Sequence, residues 1–362
     1  MITISLCMIV KNEQLTLERC LRSVRDAVDE IIIVDTGSTD RTKEIARRWA
    51  SSVIDFAWND HFAAARNAYF AKATMDYILW LDADDVLLPE DCEKLCRLKR
   101  SLPPEADAVT MRYHCDFDAH GNVTLSVRRA RLVKRSRNYR WEGAVHEDLS
   151  IREGTFYDCD MVVTHRKPDK TADPDRNLKI YEKLISGANE LTARDMLHYA
   201  MELHQHRSYE RAAQFYLKFL ECDQLSAENR ILAYTRLADC YHYSGDRQKE
   251  LAMTCKTFEY DVPRPEACCR IGYFFMERDQ FIQAIYWYKA AIAFQPSNDW
   301  AIHNLVSATW LPHMQLGLCY YRLGDYERSY YHNKMAHGYV PGNENIVRNI
   351  RLLENLIRRV DT

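Results

Sequence analysis

Asp82-Ala83-Asp84-Asp85 follows the apolar run Tyr77-Ile78-Leu79-Trp80-Leu81 without a break. A buried strand that ends in acids delivers carboxylates to the edge of a sheet. On an extended backbone Asp82 and Asp84 point to the same side, because side chains alternate between faces. Hard oxygens at that spacing suit Mg²⁺ or Mn²⁺ shared with a diphosphate. Asp35 closes a second apolar run, Ile31-Ile32-Ile33-Val34, and precedes the turn Thr36-Gly37-Ser38. It could hold a ligand there, or simply close an Asx turn or cap a helix. Arg66, followed by Asn67, could approach a diphosphate or hold Asp82 in place.

These residues need a scaffold, and the first hundred positions supply one. Strand signals at Ile2–Val10, Ile31–Val34, Val53–Phe56 and Tyr77–Leu81 alternate with helix signals at Glu13–Ala27, Thr39–Trp49 and Phe62–Ala73. Leu15, Leu17, Leu21 and Val24 recur at helical spacing, whereas the isoleucine run is continuous, as in strands covered on both faces. Acid precedes the second helix and Arg47-Arg48 ends it, in agreement with the macrodipole. This alternation implies a parallel α/β sheet with right-handed crossovers. Ligands of such sheets bind beyond the carboxyl ends of the strands, where Asp35 and Asp82–Asp85 fall. From Asp107 to His165 the chain turns β-rich, with strand candidates at Ala108–Tyr113, Val123–Val133 and Met161–His165. The polar stretch from His165 through Asp173-Pro174-Asp175 reads as a domain boundary, drawn between residues 170 and 171.

Beyond it the pattern is helical and repeats. Related cues occur at Arg207–Tyr216, Gly245–Ala252, Arg278–Pro296 and Gly324–Pro341. Superposing Tyr209, Arg247, Phe281 and Tyr326 gives steps of 38, 34 and 45 residues. The middle step equals the tetratricopeptide period of about 34, and the longer ones require insertions such as Trp300–Pro312. Repeats of this kind bury their cores only by stacking.

The bulk composition narrows the function. With 362 residues, 47% hydrophobic and 28% charged, the chain can fill two cores. A formal net charge of −3 gives no reason to expect nucleic acid. No apolar run reaches the ~18 residues of a membrane span, and the first ten lack a basic leader segment. Twelve scattered cysteines without zinc spacing read as reduced thiols, which sets the expectation of a cytoplasmic protein.

Five segments then occur in order: Cys7–Glu13, Glu30–Thr42, Trp58–Asn67, Leu79–Asp85 and Trp141–Glu147. Together they resemble family-2 glycosyltransferases of the GT-A fold. The whole chain is similar to the subgroup with a tetratricopeptide C-terminus, which includes bacteriocin S-glycosyltransferases. The resemblance implies an α/β, Rossmann-like GT-A domain over residues 1–170 and an all-α repeat domain over 171–362. It implies Mn²⁺ or Mg²⁺ as cofactor and inverting transfer from a UDP-sugar. Within that pattern Val10, Glu13, Asp35, Ser38, Arg66, Asn67, Asp82 and Ala83 bind the nucleotide-sugar. Trp141 stacks on the sugar or else belongs to the core. Asp84 and Asp82 bind metal, with His165 completing the site. Glu147 is the candidate general base, Asp85 its rival, and Glu142 has a supporting role. A thiol acceptor would need less help from a base, since part of it is ionised already. The expected acceptor is a peptide or protein side chain (Cys, Ser or Thr). A glycan or lipid-linked acceptor is the alternative, and a non-catalytic repeat scaffold the reading from another class. Homodimers through the repeats are a further expectation, because relatives often pair that way.

Overall fold

A computed structural model describes residues 1–118, 121–166, 173–187, 190–294 and 303–360. Two compact units divide the chain. The first comprises Met1–Asp116 and Ser126–Asn189; the second comprises Phe117–Leu125 and Glu190–Thr362. The boundary expected between residues 170 and 171 lies outside the described residues.

In the first unit the elements are β1 (Ile4–Val10), α1 (Leu17–Val24), β2 (Glu30–Asp35), α2 (Thr42–Trp49), β3 (Ser52–Asp55), α3 (Phe62–Phe70), β4 (Tyr77–Trp80), β5 (Asp85–Leu87) and α4 (Pro89–Ser101). They continue as β6 (Ala108–Phe117), β7 (Val123–Lys134), β8 (Arg140–Glu142), β9 (Asp148–Ser150), β10 (Phe156–His165) and α5 (Arg176–Ser186). The main sheet runs β3-β2-β1-β4-β7-β6-β10-β5. β1 pairs in parallel with both β2 and β4, and β2 with β3. The parallel arrangement expected for the strands of the first hundred residues is found among β1–β4, whereas β7 lies antiparallel to β4 and β5 antiparallel to β10. After Asp107 the strands follow one another with no intervening α-helix, and β6 and β10, which pair in parallel, are separated in the chain by β7, β8 and β9.

The continuous apolar runs are explained by two-sided burial. Leu6, Met8, Ile31, Ile33, Tyr77 and Leu79 enter one core, with Leu17, Cys20, Leu21 and Val24 of α1. Cys7, Ile32, Val34, Ile78 and Trp80 enter the other, with Ala63, Ala65 and Tyr69 of α3. Every second residue serves the opposite face, so apart from Ser5 near the start of β1, and Glu30 and Asp35 at the two ends of β2, these strands carry only apolar or aromatic side chains. Polar chemistry is thereby confined to the strand ends.

The second unit contains α6 (Ala193–Gln205), α7 (Tyr209–Leu220), α8 (Ala227–Tyr243), α9 (Arg247–Lys256), α10 (Pro265–Met276), α11 (Phe281–Ala293), α12 (Leu305–Ala308), α13 (Trp310–Arg322), α14 (Tyr326–Tyr339) and α15 (Glu344–Val360). The four positions superposed from the sequence, Tyr209, Arg247, Phe281 and Tyr326, are the first residues of α7, α9, α11 and α14. Two residues before each lies a left-handed backbone: Arg207, Gly245, Asp279 and Gly324, with φ of 59°, 80°, 56° and 78°. The following amide donates five residues back in every case, at 2.8–3.0 Å, from Ser208 to Leu203, Asp246 to Tyr241, Gln280 to Phe275 and Asp325 to Tyr320. These are Schellman closures, which use up the last carbonyls of one helix before the next begins. The expected insertion over Trp300–Pro312 and the closing Pro296 lie partly or wholly outside the described residues.

Candidate functional site

The site gathers at the carboxyl ends of β2, β1 and β4. Two loops there are stitched together. The Asn12 amide donates to Ser38 Oγ at 2.9 Å, and Asn12 Oδ1 accepts from the Thr39 amide at 2.8 Å. Asn12 takes a left-handed φ of 57°, which Asn tolerates better than most residues. Glu13 accepts from Thr16 Oγ1 at 2.5 Å, while its own amide donates to Thr42 Oγ1 at 2.6 Å. Val10 is buried opposite Asp35 in the β1–β2 register, and its carbonyl accepts from Thr36. Its side chain therefore supports the loop from within the core.

Asp35 has no exposed surface. Its Oδ1 accepts from the Gly37 and Ser38 amides at 3.0 and 2.9 Å, with Lys43 Nζ 3.7 Å away. Its Oδ2 is buried with no hydrogen-bond partner. A buried acceptor without a donor is costly and uncommon, so it marks a place where a ligand N–H would be welcome.

The acidic segment is a turn rather than an extended strand end, since the Asp85 amide donates to the Asp82 carbonyl at 3.0 Å. This corrects the expectation that Asp82 and Asp84 share one side of a strand; the turn sends them to different partners. Arg66 Nη2 meets Asp82 Oδ1 at 2.7 Å, and Arg66 Nε meets Glu147 Oε1 at 2.5 Å. Burial would raise the Asp82 carboxyl, but Arg66 and Arg131 outweigh it and hold it below the usual range. Ala83 is buried in the core beneath the turn. Arg66 lies against the Trp80 and Trp141 rings, 5.4 and 4.6 Å from their centroids. Trp141 is only 4% exposed and packs edge-on against Trp80, which favours the core reading of this residue. Both ends of the Asn67 amide are spent on the Trp141 backbone, at 2.9 and 3.0 Å. Asn67 thus anchors β8. Glu142 sits on the exposed side of that strand and meets Arg152 at 3.4 Å.

Asp85 is fully buried, with Arg131 Nη1 3.1 Å from its Oδ2, and the same oxygen accepts from the Asp82 amide. The β5–β10 register pairs Asp85 with His165 directly. That pairing brings His165 Nδ1 to 3.4 Å from Asp85 Oδ1 and 3.5 Å from Asp84 Oδ1. One donor atom each from Asp84, Asp85 and His165 lies within 4.8 Å of the others. Two carboxylates and an imidazole suit a divalent ion that keeps other positions for substrate oxygens. Burial, with Asp82, Asp85 and Glu13 nearby, lifts the Asp84 carboxyl to about 6 despite the opposing effect of His165. Crowded carboxylates short of positive charge are what a bound cation would relieve. Asp82, expected among the ligands, pairs through Oδ1 with Arg66 and is not part of this three-residue cluster.

Sequence reasoning missed Arg131, which supplies the counter-charge for Asp85. The available signal was an arginine directly before Leu132-Val133, in a strand bound for the core. It also missed Arg19, whose Nη2 donates to the Arg166 carbonyl at 2.7 Å, while the Arg166 amide donates to the Asp84 carbonyl at 2.8 Å. His146 precedes Glu147 with a left-handed φ of 50°, so the loop that presents this glutamate is held in a sparsely populated conformation.

Residues 5–148 match the model of the family described as "Glycosyl transferase family 2". A TPR repeat-containing protein of Synechococcus elongatus is 41% identical over 147 residues, covering 41% of this chain and 35% of that protein. The SPbeta prophage-derived glycosyltransferase SunS of Bacillus subtilis is 32% identical over 149 residues, covering 40% of this chain and 34% of its own length. The chain thus spans about a third of the curated relatives it matches. Among solved structures, MamA has a TM-score of 0.35 at 18% identity, covering 46% of this chain and 82% of that one. A glucosyl-3-phosphoglycerate synthase from Mycobacterium tuberculosis has 0.27 at 23%, covering 31% and 44%. Among the described residues no helix is long and apolar enough to cross a membrane.

Proposed function

From the premise that residues 5–148 are a family-2 glycosyl transferase domain, followed by tetratricopeptide-like helix pairs, we propose that this protein is an inverting glycosyltransferase. In this reading it moves a hexose from a UDP-sugar to a peptide or protein side chain. The observation that carries the donor half is Asp35, whose buried Oδ2 lacks a partner. A uracil imide N–H satisfies that oxygen. β2 and β4 flank β1, so two strand spacings of about 4.8 Å separate the Asp35 end of the sheet from the acidic turn. A base held at Asp35 can then extend its diphosphate toward Asp84.

The donor set of Asp84, Asp85 and His165 fits Mn²⁺ or Mg²⁺, which when bound would neutralise charge growing on the departing diphosphate. Arg66 fixes Asp82 at the rim of the turn. Glu147 accepts the proton of the acceptor hydroxyl or thiol as the acceptor atom bonds to the anomeric carbon and the bond to the phosphate oxygen breaks. The configuration inverts and UDP leaves. Asp85 and Glu147 are each paired to an arginine, but Asp85 has no exposed surface whereas Glu147 is about a tenth exposed, so Asp85 suits a positioning role better than that of base. Helical arrays commonly accommodate extended chains, which favours a peptide acceptor.

The test is UDP-sugar hydrolysis by the full chain across a panel of UDP-sugars, with and without Mn²⁺. Turnover should depend on the ion and fall by about 10²–10³ in Asp84→Ala, the scale of losing one electrostatic group at a developing charge. No turnover in wild type would favour the scaffold reading, and equal turnover in Asp84→Ala would overturn the role given to Asp84.

A further inference from the structure

We infer that Arg131 is a positioning residue for the metal site, acting through Asp85; the inference rests on the metal-dependent reading above. Arg131 is 1% exposed at the end of β7, a place where a charge is kept only with strong compensation. Its guanidinium carbon lies 3.8 Å from the Trp80 centroid and 4.3 Å from that of Tyr113, so it rests over both rings. Nη1 meets Asp85 at 3.1 Å and reaches the Trp80 carbonyl at 3.4 Å. Trp80 is itself tied to β7, its Nε1 donating to the Ala130 carbonyl at 2.8 Å. The strand that precedes the acidic turn is therefore locked to the strand that carries Arg131.

This lock divides labour among the three aspartates. Asp82 belongs to Arg66 and Asp85 Oδ2 to Arg131, which leaves Asp84 and Asp85 Oδ1 facing His165. Arg131 Nε is buried without a partner, so the residue is not optimised for stability alone. A methionine could keep contact with both rings but would leave Asp85 buried without its partner, which is strongly destabilising. It would also lose the fixed direction of Asp85.

The sign of the expected effect separates this role from plain electrostatics. A positive charge beside the donor cluster repels a cation, so charge removal alone would tighten metal binding. A positioning role predicts the reverse. Mn²⁺ binding to the full chain, followed by electron paramagnetic resonance of the free ion, should weaken about tenfold in Arg131→Gln. That is the lower end of the penalty for losing a group that orients a metal ligand. Arg131→Lys keeps the charge without the fork and should fall in between. Melting temperatures recorded alongside identify any variant that fails to fold, and in that event the lysine variant decides. Unchanged or tighter Mn²⁺ binding in a folded variant would overturn the inference. A wild type that binds no Mn²⁺ would sink the metal reading itself, and this inference with it.

Discussion

The acidic turn and the helix pairs solve the same problem, satisfying polar groups without water, by opposite means. In the helical unit each closure is local: every turn between paired helices ends within six residues of where it starts. At the acidic turn two backbone amides are satisfied within the turn, but the charge balance is long-range. Asp82 is paired to an arginine 16 positions away, Glu147 to the same arginine 81 positions away, and His165 lies 80 positions from Asp85. Local closures can be repeated and varied independently, whereas a charge network shared by distant elements succeeds or fails as a whole. The expected consequences range from large to small along that contrast.

The largest concerns Arg66. Arg66→Met leaves Asp82 and Glu147 partly buried without their partner, which costs about 3–5 kcal/mol when one side of a buried pair is removed. Equilibrium denaturation by urea gives the value. A loss below about 1 kcal/mol would mean that water already serves both carboxylates, and the contrast would dissolve. The second concerns Asp84, whose carboxyl sits near 6 in the folded chain because of burial and neighbouring acids. Its unfolded value is lower, so between about pH 4 and 6 the metal-free fold binds the extra proton, and its stability declines as pH rises through that window. Asp84→Asn should lack this slope in melting curves. For the same reason, Mn²⁺ affinity should fall about tenfold per unit below pH 6, because ion and proton compete for the carboxylate.

Legibility followed the same division. The repeat register was readable because its cause is local: Gly245-Asp246 and Gly324-Asp325 state their own turn chemistry, and Arg207-Ser208 and Asp279-Gln280 adopt the same backbone without the glycine. The strands of the first unit were readable from their continuous apolar runs. The acids Asp82–Asp85 were conspicuous in the sequence as well, placed directly after a buried run. Their pairing was not. That depends on β5 reversing against β10 and on β7 slotting beside β4, and neither register leaves a mark in nearby sequence. The Arg66–Asp82 pair was one of two roles the sequence offered for Arg66, while the Arg131–Asp85 pair left no such trace.

Within the helical unit, packing gives a middle-sized effect. A Cβ at Gly272 would come within 2.9 Å of the Tyr288 ring, itself buried between α10 and α11. Gly272→Ala should cost about 1–3 kcal/mol through overpacking. Gly338 has open space around its Cβ position, so Gly338→Ala in α14 should stabilise slightly, by the propensity difference of about 1 kcal/mol or less. Opposite signs from the same substitution would separate close approach from propensity in thermal unfolding.

The smallest effect is also the sharpest test of locality. Thr192 and Asp195 form a reciprocal capping box at the start of α6, with bonds of 3.1 and 3.2 Å, and Ser226 caps α8 by accepting from the Asn229 amide at 3.2 Å. Each change, Thr192→Ala or Ser226→Ala, removes one satisfied helix-end amide and should cost about 1 kcal/mol. Neither cap shares a partner with the other, so the double variant should equal the sum of the singles within about 0.5 kcal/mol. Arg66→Met combined with Arg131→Gln should depart from additivity by more, because both arginines lower the energy of one carboxylate, Asp82. If the caps couple strongly and the arginines do not, the helical unit rather than the acidic turn is the cooperative element of the molecule.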